Sequence, residues 1–477
     1  MTFPRATKIV ATLGPASNAP DTLRRLILAG VNVVRVNFSH GSAEEHIRTV
    51  ELVRQISEEV RRDVGVLADL QGPKIRIGKF ENDKITLAEG DRFAFDTDCE
   101  LGDQQHVGLD YKELVNDVKP GDTLLLNDGR VTMAVEKVTD TRIECIVLVG
   151  GVLSNRKGIN RQGGGLSAPA LTAKDMEDIK TAVGFKADFI AVSFPKNAAD
   201  MYMARELARA AGGRVYLIAK IERYEAIGNL EEILKASDGI MVARGDLAVE
   251  VGDAAVPALQ KRMIRMAKEL NKITITATQM MESMIEMPVP TRAEVSDVAN
   301  AVLDGTDAVM LSAETAAGKF PVDTVAAMAR ICDEADRSHS GSLDTAFLHR
   351  TFTRIDQSIA MAALFTAHLL QVKAILSLTQ SGSTALWLSR LVSGVPIYAL
   401  TPEQATRRRM TLFRECHPVA MEYHTQDLLT LLADAERVMV DSGLLQRGDL
   451  VVITSGEPVG KSGGTNTMKI VRIGDHL

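Results

Sequence analysis

The stretch that decides the fold runs from residue 32 to residue 70 and reads NVVRVNFSHGSAEEHIRTVELVRQISEEVRRDVGVLADL. A β-branched run at Asn32–Phe38 is followed by a segment of helical periodicity at His46–Asp63 and by a second apolar run at Val64–Leu70. Parallel neighbouring strands need a crossover connection, so strand, helix and strand in this order predict one unit of a parallel α/β sheet. Polar residues lie at the ends of both strands, and the same unit therefore also predicts part of a site.

The alternation of strand and helix repeats along the chain and predicts eight parallel strands. They are Thr7–Gly14, Asn32–Phe38, Val64–Leu70, Phe189–Pro195, Arg214–Glu222, Gly239–Leu247, Ile273–Met280 and Ala308–Thr315. Residues 1–70 and 170–338 together have nearly the length of a TIM barrel, which is roughly 250 residues. The predicted fold class is therefore α/β, with a TIM (β/α)8 barrel as the largest domain.

Two other regions depart from this pattern. Residues 71–169 contain short strands separated by turn sequences such as Glu89-Gly90-Asp91 and Asn127-Asp128-Gly129. This region predicts an all-β domain inserted into the barrel. From Ile355 a new alternation of helices and strands begins, and it predicts a separate C-terminal α/β domain over 345–477 with a short open sheet.

Composition excludes several classes of protein. The chain has 477 residues, of which 45% are hydrophobic and 25% charged, with a net charge of -7. This is typical of a globular protein of several domains and argues against nucleic-acid binding, which needs concentrated positive charge. Its four cysteines have no C-x-x-C spacing, and no apolar stretch reaches the roughly 20 residues of a membrane span. We expect a cytoplasmic protein without a membrane partner.

Polar residues recur where five of the predicted barrel strands end. These endings are Arg35-Val36-Asn37-Phe38-Ser39-His40, Ala68-Asp69-Leu70, Lys220-Ile221-Glu222, Ala243-Arg244-Gly245-Asp246 and Ala277-Thr278-Gln279. The catalytic groups of TIM barrels cluster at the C-terminal ends of the strands. One such ending would carry little weight, but five on one rim predict a site.

The residue types at this rim indicate a chemistry. Glu222 and Asp246 end neighbouring strands, where two carboxylates together with water and substrate oxygens suit Mg²⁺. Lys220 and Arg35 supply fixed positive charge, and backbone amides at Gly245 can face an anion. A dianionic substrate on a divalent metal beside lysine and arginine is the arrangement that phosphoryl transfer needs.

Structural roles stay open for each of these residues taken alone. Asp246 can cap a following helix, and Lys220 with Glu222 can form a buried structural ion pair. Arg35 can bind loop carbonyls, and His40 is as well suited to orienting a loop as to contacting a substrate. Their coincidence on one rim favours the functional interpretation.

A second candidate anion site lies in the C-terminal domain. The segment Thr379–Thr384 joins a predicted strand to a helix, and hydroxyls with free amides at a helix start can bind an anion. Ordinary helix capping by Ser383 or Thr384 is the alternative. We expect Arg407-Arg408-Arg409 and the loop Glu457–Thr465 to converge there, which would favour a phosphorylated effector.

Several segments of the chain resemble the pyruvate kinase family. They are Ile9–Pro15, Arg35–Gly41, Asp69–Arg76, Gln279–Met284 and Met310–Thr315. The likeness extends over all three predicted domains and is strongest in the barrel. It implies an enzyme that transfers the phosphoryl group of phosphoenolpyruvate to ADP, giving pyruvate and ATP in the last step of glycolysis. Mg²⁺ is the implied cofactor, and Mn²⁺ can take its place.

The resemblance also implies a role for each matched residue. Lys220 stabilises the phosphoryl group in flight, and Glu222 and Asp246 bind the magnesium ion. Thr278 binds substrate and belongs to the relay that protonates the enolate. The implied phosphoenolpyruvate contacts are Arg35, Lys220, Gly245, Asp246 and Thr278. The implied nucleotide contacts are Asn37, Ser39, His40, Arg76 and Lys157. The insert resembles the family's lid, which excludes water from the substrates.

The resemblance points to a branch of the family that needs no potassium. Members that require K⁺ bind it near Asn37, Ser39, Asp69 and the carbonyl of Leu70. They carry glutamate at the position of Lys74. The tethered ammonium group of Lys74 can supply the charge of the monovalent cation, so we expect activity without K⁺.

The C-terminal domain resembles the family's regulatory domain. Its implied effector residues are Thr379, Ser381, Gly382, Ser383 and Thr384. Activation by a sugar phosphate or AMP and a homotetrameric assembly are implied. Two alternatives remain: another magnesium-dependent barrel enzyme acting on enolpyruvate, such as a carbon–carbon lyase, and a catalytically inactive metabolite-binding protein. Dependence on ADP separates the first, and the intact Lys220, Glu222 and Asp246 argue against the second.

Overall fold

The computed structural model describes residues 4–339, 351–461 and 463–476, and eight parallel strands in it form a closed barrel. These strands are Lys8–Thr12, Val33–Asn37, Gly65–Asp69, Phe189–Val192, Tyr216–Ile221, Gly239–Ala243, Ile273–Ala277 and Ala308–Leu311. Their order around the barrel follows the chain. The first strand closes the ring by pairing with the eighth, with Lys8 opposite Ala308, and with the second, with Val10 opposite Val33. The predicted barrel is confirmed.

Helices surround the barrel. They are Pro20–Ala29, Ala43–Glu59, Ala173–Gly184, Ala198–Ala210, Tyr224–Gly228, Leu230–Ala236, Arg244–Val251, Val256–Glu269, Arg292–Leu303, Ala313–Ala316 and Pro321–His339, with 3-10 turns at Asp253–Ala255 and Glu282–Ile285. The helix predicted from His46 begins earlier, at Ala43, because Ser42 and Glu45 form a capping box. The sixth strand is shorter than predicted, because a helix begins directly after Ala243.

Between the third and fourth barrel strands the chain forms mainly antiparallel sheet. Its strands are Lys79–Phe80, Lys84–Leu87, Arg92–Asp96, Leu101–Gly102, His106–Val107, Thr123–Leu126, Val131–Val138, Arg142–Val149, Gly151–Ser154 and Ile159–Arg161, with one short helix at Leu114–Asp117. Six of them form one sheet around a separate hydrophobic core that includes Phe95 and Met133. After this insert the chain forms the helix Ala173–Gly184 and then the barrel strand Phe189–Val192, which Ser193 follows directly.

The C-terminal part is a separate α/β domain with an open sheet, as predicted, and the sheet has five strands. Its strands are Ala374–Leu378, Ile397–Thr401, Cys416–Ala420, Leu450–Gly456 and Thr465–Arg472, and only the last is antiparallel to its neighbour. Its helices are Ile355–Leu369, Ser383–Leu388, Gln404–Met410 and Leu428–Asp441. The predicted start of this domain, residue 345, lies outside the described residues.

The C-terminal domain packs against the N-terminal ends of the barrel strands, which we call the barrel floor. One hydrophobic cluster includes Ile218 and Met241 of the barrel together with Leu388 and Phe413 of the C-terminal domain. The opposite ends of the strands, which we call the barrel mouth, carry the predicted site. Among the described residues, no helix is both long and apolar enough to cross a lipid bilayer.

Candidate active site

Lys220 forms a fixed cation at the barrel mouth. Its Nζ is 2.9 Å from Glu222 Oε1 and 3.3 Å from Asp69 Oδ1, and it donates a hydrogen bond of 2.7 Å to Ser193 Oγ. Burial alone would lower the pKa of Lys220, but Asp69 and Glu222 outweigh burial and raise this pKa above its usual 10.5. The ammonium group therefore keeps its charge at any physiological pH.

Asp69 lies between two cations. Arg35 Nε donates a hydrogen bond of 2.6 Å to Asp69 Oδ2, and Arg35 Nη1 donates one of 3.0 Å to Thr12 Oγ1. Burial would raise the pKa of Asp69, but Lys220 and Arg35 together lower it below its usual value. Asp69 therefore stays ionised although it is fully buried, and it holds both cations at the mouth.

Glu222 is the second buried carboxylate, with 1% of its surface exposed. Its Oε2 accepts a hydrogen bond of 2.9 Å from the backbone amide of Phe194. Burial raises the pKa of Glu222 to about 7; Lys220 opposes this shift and Asp246 adds to it. Among the described residues, the one polar contact of Glu222 Oε1 and of Asp69 Oδ1 is the Lys220 ammonium group. A carboxylate oxygen can accept more than one bond, so both oxygens keep acceptor capacity for a ligand at the mouth.

Asp246 lies in the first turn of the helix Arg244–Val251, which begins directly after the sixth strand. Its Oδ1 is 3.3 Å from Lys74 Nζ, and 28% of its side chain is exposed. Of the backbone N–H groups in this first turn, that of Gly245 donates a hydrogen bond of 2.8 Å to Thr278 Oγ1. A carboxylate and helix amides thus lie together at one strand end.

Thr278 has a strained backbone. Its φ is 71° and that of Gln279 is 54°, in the left-handed region that a β-branched residue rarely adopts. The Thr278 hydroxyl accepts a hydrogen bond of 2.8 Å from the amide of Gly245 and donates one of 2.7 Å to Ala277 O. The strain therefore places this hydroxyl against the helix that carries Asp246.

Two residues were missed by the sequence analysis. Ser193 receives the Lys220 hydrogen bond and donates one of 2.7 Å to Leu70 O. Arg244 donates to Thr278 O at 2.8 Å and to both oxygens of Asp297 at 2.7 Å, which braces the strained segment. Both follow barrel strands directly, so their position at strand ends was the signal that could have found them.

The carboxylates at the mouth fit a hard divalent cation. Glu222 Oε1 is buried and contacts only the Lys220 ammonium group among the described residues, and Asp246 is close enough to raise the pKa of Glu222. In the described part of the chain, no group of three or more His, Cys, Asp or Glu side chains is arranged to hold a metal ion. A metal held by Glu222 and Asp246 would therefore take its remaining ligands from water and substrate, as Mg²⁺ commonly does.

The residues predicted for a monovalent cation lie on one rim. Asn37 and Asp69 are opposite each other on neighbouring strands. The Asn37 Oδ1 accepts a hydrogen bond of 3.1 Å from the amide of Ser39, and Leu70 O accepts one from Ser193. Lys74 forms its ion pair with Asp246 rather than with Asp69.

The predicted nucleotide contacts fall into two groups. Asn37, Ser39 and His40 are on the barrel, at the end of the second strand. Arg76 and Lys157 belong to adjacent segments of the insert, where Arg76 pairs with Gly158. In the regions that the structure describes, no hydrogen bond or ion pair joins the two groups, so a ligand would have to bridge them.

In the C-terminal domain the segment Thr379–Thr384 faces the loop Glu457–Thr465, as expected. Thr384 Oγ1 lies 2.6 Å from Thr465 Oγ1, and Gly382 has a φ of 82° at the start of the helix Ser383–Leu388. The cavity between these segments is lined by Ser381 and Lys461 and has a volume of about 20 Å³. Ser462 of this loop lies outside the described residues.

The expected convergence of the arginine triplet on this segment is wrong. Arg407 Nε donates to Asp63 Oδ2 at 3.1 Å, and Arg408 Nε donates to Asp188 Oδ1 at 3.1 Å. The Arg409 guanidinium lies 5.0 Å from the ring centre of Tyr216. All three side chains face the barrel floor, because the acidic partners of Arg407 and Arg408 precede barrel strands.

Comparison with known proteins covers nearly the whole chain. The family described as "Pyruvate kinase, barrel domain" matches residues 4–325, and "Pyruvate kinase, alpha/beta domain" matches residues 357–471. Pyruvate kinase II of Salmonella typhimurium is 49% identical over 475 residues, which is 98% of this chain and 99% of the relative. Pyruvate kinase of Haemophilus influenzae is 49% identical over 460 residues, which is 95% of this chain and 96% of the relative.

These matches agree with the geometry at the barrel mouth, where a lysine, an arginine and paired carboxylates meet. Pyruvate kinase of Buchnera aphidicola from Acyrthosiphon pisum, 48% identical over 477 residues, covers 98% of this chain and 99% of its own length. The two family matches together span most of the chain, and the relatives are nearly half identical to it. The chain therefore belongs to the pyruvate kinase family of enzymes.

Proposed function

We propose that the chain transfers the phosphoryl group of phosphoenolpyruvate to ADP at the barrel mouth, with Lys220 as the main catalytic cation. The observation that carries this assignment is the position of Lys220 Nζ, which contacts Asp69, Glu222 and Ser193 at the end of the fifth strand. The bond between phosphorus and the enol oxygen breaks as a bond to a β-phosphate oxygen of ADP forms. A fixed cation beside the moving phosphoryl group stabilises the charge that develops on it.

Glu222 and Asp246 are the proposed ligands of Mg²⁺, and Mn²⁺ fits the same oxygen donors. When bound, the metal neutralises charge on the phosphoryl oxygens and orients them. The chain's own contribution is to hold Glu222 Oε1 beside the Lys220 ammonium group at the mouth and Asp246 in the first helical turn.

Arg35, Gly245 and Asp246 are the proposed phosphoenolpyruvate contacts, and the Gly245 amide must give up its hydrogen bond to Thr278 Oγ1 to reach the substrate. Arg35 is held by Asp69 and Thr12, so its orientation is set before substrate binds. After phosphoryl transfer the enolate takes up one proton at its terminal carbon to give pyruvate. The Thr278 hydroxyl is a candidate for that relay; to donate outward, it must give up its hydrogen bond to Ala277 O.

The insert, residues 71–169, is proposed as a lid over the nucleotide. Arg76 and Lys157 lie side by side in it, while Asn37, Ser39 and His40 lie on the barrel. ADP bound to both groups would bridge the barrel and the lid, and lid closure would exclude water from the phosphoryl group. The proposed limits of the barrel are 1–70 and 170–338, and those of the C-terminal domain are 345–477.

We also propose that the enzyme works without K⁺. The contact of Lys74 with Asp246 supports a tethered cation beside the substrate. In addition, the amide oxygen of Asn37 and the carbonyl of Leu70 already accept hydrogen bonds within the protein. These contacts reduce what the rim offers to a monovalent cation.

Regulation is assigned to the C-terminal domain. A sugar phosphate or AMP would bind Thr379, Ser381, Gly382, Ser383 and Thr384, next to Lys461. Because the cavity there is about 20 Å³, the loop Glu457–Thr465 has to move outward to admit the effector. A homotetramer in the cytoplasm is the proposed form of the enzyme.

Phosphorus-31 NMR of the purified chain with phosphoenolpyruvate, ADP and Mg²⁺ tests the function. We expect the phosphoenolpyruvate signal to be replaced one for one by the γ-phosphate signal of ATP, with no change when ADP is left out. A carbon–carbon lyase would consume phosphoenolpyruvate without ADP, and a binding protein would consume neither substrate. Either result would refute the proposal.

A further inference from the structure

A cavity of about 670 Å³ lies at the barrel floor and is not used by the proposed reaction. It lies between the helix Ala198–Ala210, the start of the strand Tyr216–Ile221 and Arg409 of the C-terminal domain. The charged and aromatic residues that line it are Arg205, Arg209, Arg214, Tyr216, Asp238 and Arg409. Four arginines and one aspartate make this lining strongly positive in a chain whose net charge is -7.

The one acidic residue of the lining is already engaged. Asp238 Oδ2 accepts hydrogen bonds of 3.0 Å from Arg205 Nη2 and 2.8 Å from the amide of Leu217. Arg209 Nη1 pairs with Glu206 Oε1 on its own helix at 2.7 Å. The charges of Arg205 and Arg209 are therefore compensated within the protein.

The charges of Arg214 and Arg409 are not compensated. Arg214 is exposed and, among the described residues, makes no side-chain hydrogen bond or ion pair. Within the described part of the chain, Arg409 donates only to Ala405 O at 3.3 Å and to Thr406 Oγ1 at 3.0 Å, both on its own helix. Two unpaired guanidinium groups in one cavity repel each other unless an anion lies between them.

Tyr216 adds a neutral donor to this cavity. Its ring lies under the Arg409 guanidinium at 5.0 Å, which fixes the arginine by a cation–π contact. Its hydroxyl has no hydrogen-bond partner in the parts of the chain that are described. Burial raises the pKa of Tyr216, so the phenol stays protonated at neutral pH and can donate a hydrogen bond.

The cavity is separate from both proposed ligand sites. Tyr216 begins the strand on which Lys220 lies four residues further on, about 13 Å away at roughly 3.3 Å per residue. None of these arginines lines the small cavity beside the effector segment Thr379–Thr384. An anion here would therefore be an additional ligand.

We propose that this cavity binds a dianionic phosphate group, either inorganic phosphate or the phosphate of a small ester. Arg214 and Arg409 supply the two compensating charges, and Tyr216 donates from its hydroxyl. Guanidinium groups bind phosphate oxygens in pairs, so two of them match a dianion in both charge and geometry. Because Arg214 and Tyr216 belong to the barrel and Arg409 to the C-terminal domain, the ligand joins the two domains.

Protection from chemical modification tests the site on the full chain. Phenylglyoxal modifies accessible arginines, and the rate at each arginine is read by peptide mass spectrometry. With inorganic phosphate at ten times its dissociation constant, modification of Arg214 and Arg409 slows about tenfold, because the bound fraction is protected. Arg92, an exposed arginine of the insert, keeps its rate. Potassium chloride at equal ionic strength controls for screening.

The arms of this experiment distinguish the sources of the phosphate. If inorganic phosphate and a sugar phosphate protect Arg214 and Arg409 equally, the site recognises the phosphate group alone. If the sugar phosphate protects them more strongly, the ligand is a phosphate ester. Protection no greater than with potassium chloride, or equal protection of Arg92, would overturn the proposal.

A variant provides the second measurement. In equilibrium dialysis with radioactive inorganic phosphate, the double variant Arg214→Ser/Arg409→Ser should bind one phosphate fewer per chain than the wild type. The matched variant Arg92→Ser/Arg142→Ser, which removes one exposed and one half-buried arginine of the insert, should bind as many as the wild type. Circular dichroism without phosphate verifies that both variants are folded. Equal binding by the folded double variant and the wild type would refute the site.

Discussion

Both ends of the barrel contain buried carboxylates, but the contacts that these carboxylates make differ between the two ends. At the mouth, Asp69 Oδ1 and Glu222 Oε1 have the Lys220 ammonium group as their one polar contact among the described residues. At the floor, both oxygens of the buried Asp307 accept hydrogen bonds, from Arg390, Thr274 and the amide of Arg414. Buried charge by itself therefore does not identify a functional site; what distinguishes the mouth is that its buried carboxylates keep acceptor capacity for a ligand.

The floor shows what a structural ion pair looks like in this chain. Arg390 and Arg414 are each only 1% exposed, although they come from the C-terminal domain. Arg390 Nη1 donates to Asp307 Oδ2 at 3.1 Å and to Lys272 O at 2.6 Å. Arg414 Nη2 donates to Asp336 Oδ1 at 2.7 Å. These contacts hold two domains together and leave no acceptor for a ligand at Asp307.

The largest expected effect comes from removing the charge of one carboxylate at the mouth. Glu222→Gln should lower turnover about 1000-fold, because a preorganised electrostatic group is lost, and should raise the Mg²⁺ concentration needed for half-maximal rate. Steady-state rates over a Mg²⁺ titration measure both. The control is Glu415→Gln at the floor, where the carboxylate accepts hydrogen bonds from Ser393 and Gly394. Equal losses in the two variants would contradict the comparison.

The next effect concerns stability. Arg390→Ala leaves Asp307 buried without its cation and should lower the free energy of unfolding by about 3–5 kcal/mol. Urea denaturation measures the loss, and turnover per folded molecule should stay at the wild-type value. In the double variant Arg390→Met/Asp307→Asn the unpaired charge is absent, so much of the stability should return. A single variant as stable as the wild type would contradict the structural role of this pair.

A smaller effect is expected from Lys74→Glu. The variant replaces the tethered cation beside Asp246 by an anion, so its rate without K⁺ should fall about tenfold, a loss of about 1.4 kcal/mol. Added KCl should restore the rate, whereas tetramethylammonium chloride at equal ionic strength should not. Lys74→Arg keeps the charge and serves as the control. A wild-type rate that rises strongly with K⁺ would refute the assignment of Lys74.

The smallest effect is a pH dependence at the floor. Lys8 is 2% exposed and donates only to Cys416 O, and burial lowers the pKa of its ammonium to about 8. The unfolded chain therefore holds more protons than the folded one between about pH 8 and pH 10.5. Relative to Lys8→Met, the wild type should gain about 1 kcal/mol of stability between pH 7 and pH 9. Urea unfolding of both proteins across this range measures it, and a constant difference would contradict the shifted pKa.

The barrel and its rim were predictable because their signals are local. Each barrel strand can be recognised from its own apolar run. In a closed parallel barrel all C-terminal strand ends lie on one rim. Lys220, Glu222 and Asp246 could therefore be assigned to this rim from the sequence alone. The hydrogen bond from Lys220 to Ser193 was not predictable, since it depends on how two neighbouring strands align. A run of arginines in a sequence does not show which way its side chains point. The side chains of Arg407 and Arg408 are directed by Asp63 and Asp188, which lie 344 and 220 residues away in the chain.

The central claim is that the position of a buried lysine, and not its burial, makes it catalytic. Single-turnover quench-flow of phosphoryl transfer to ADP, in Lys220→Met and Lys8→Met side by side, tests this claim most directly. Both variants replace a buried ammonium group by an uncharged chain of similar length, one at the mouth and one at the floor. We predict that Lys220→Met slows the transfer step at least about 1000-fold, while Lys8→Met keeps the wild-type rate. A wild-type rate in Lys220→Met, or an equal loss in both variants, would contradict the account.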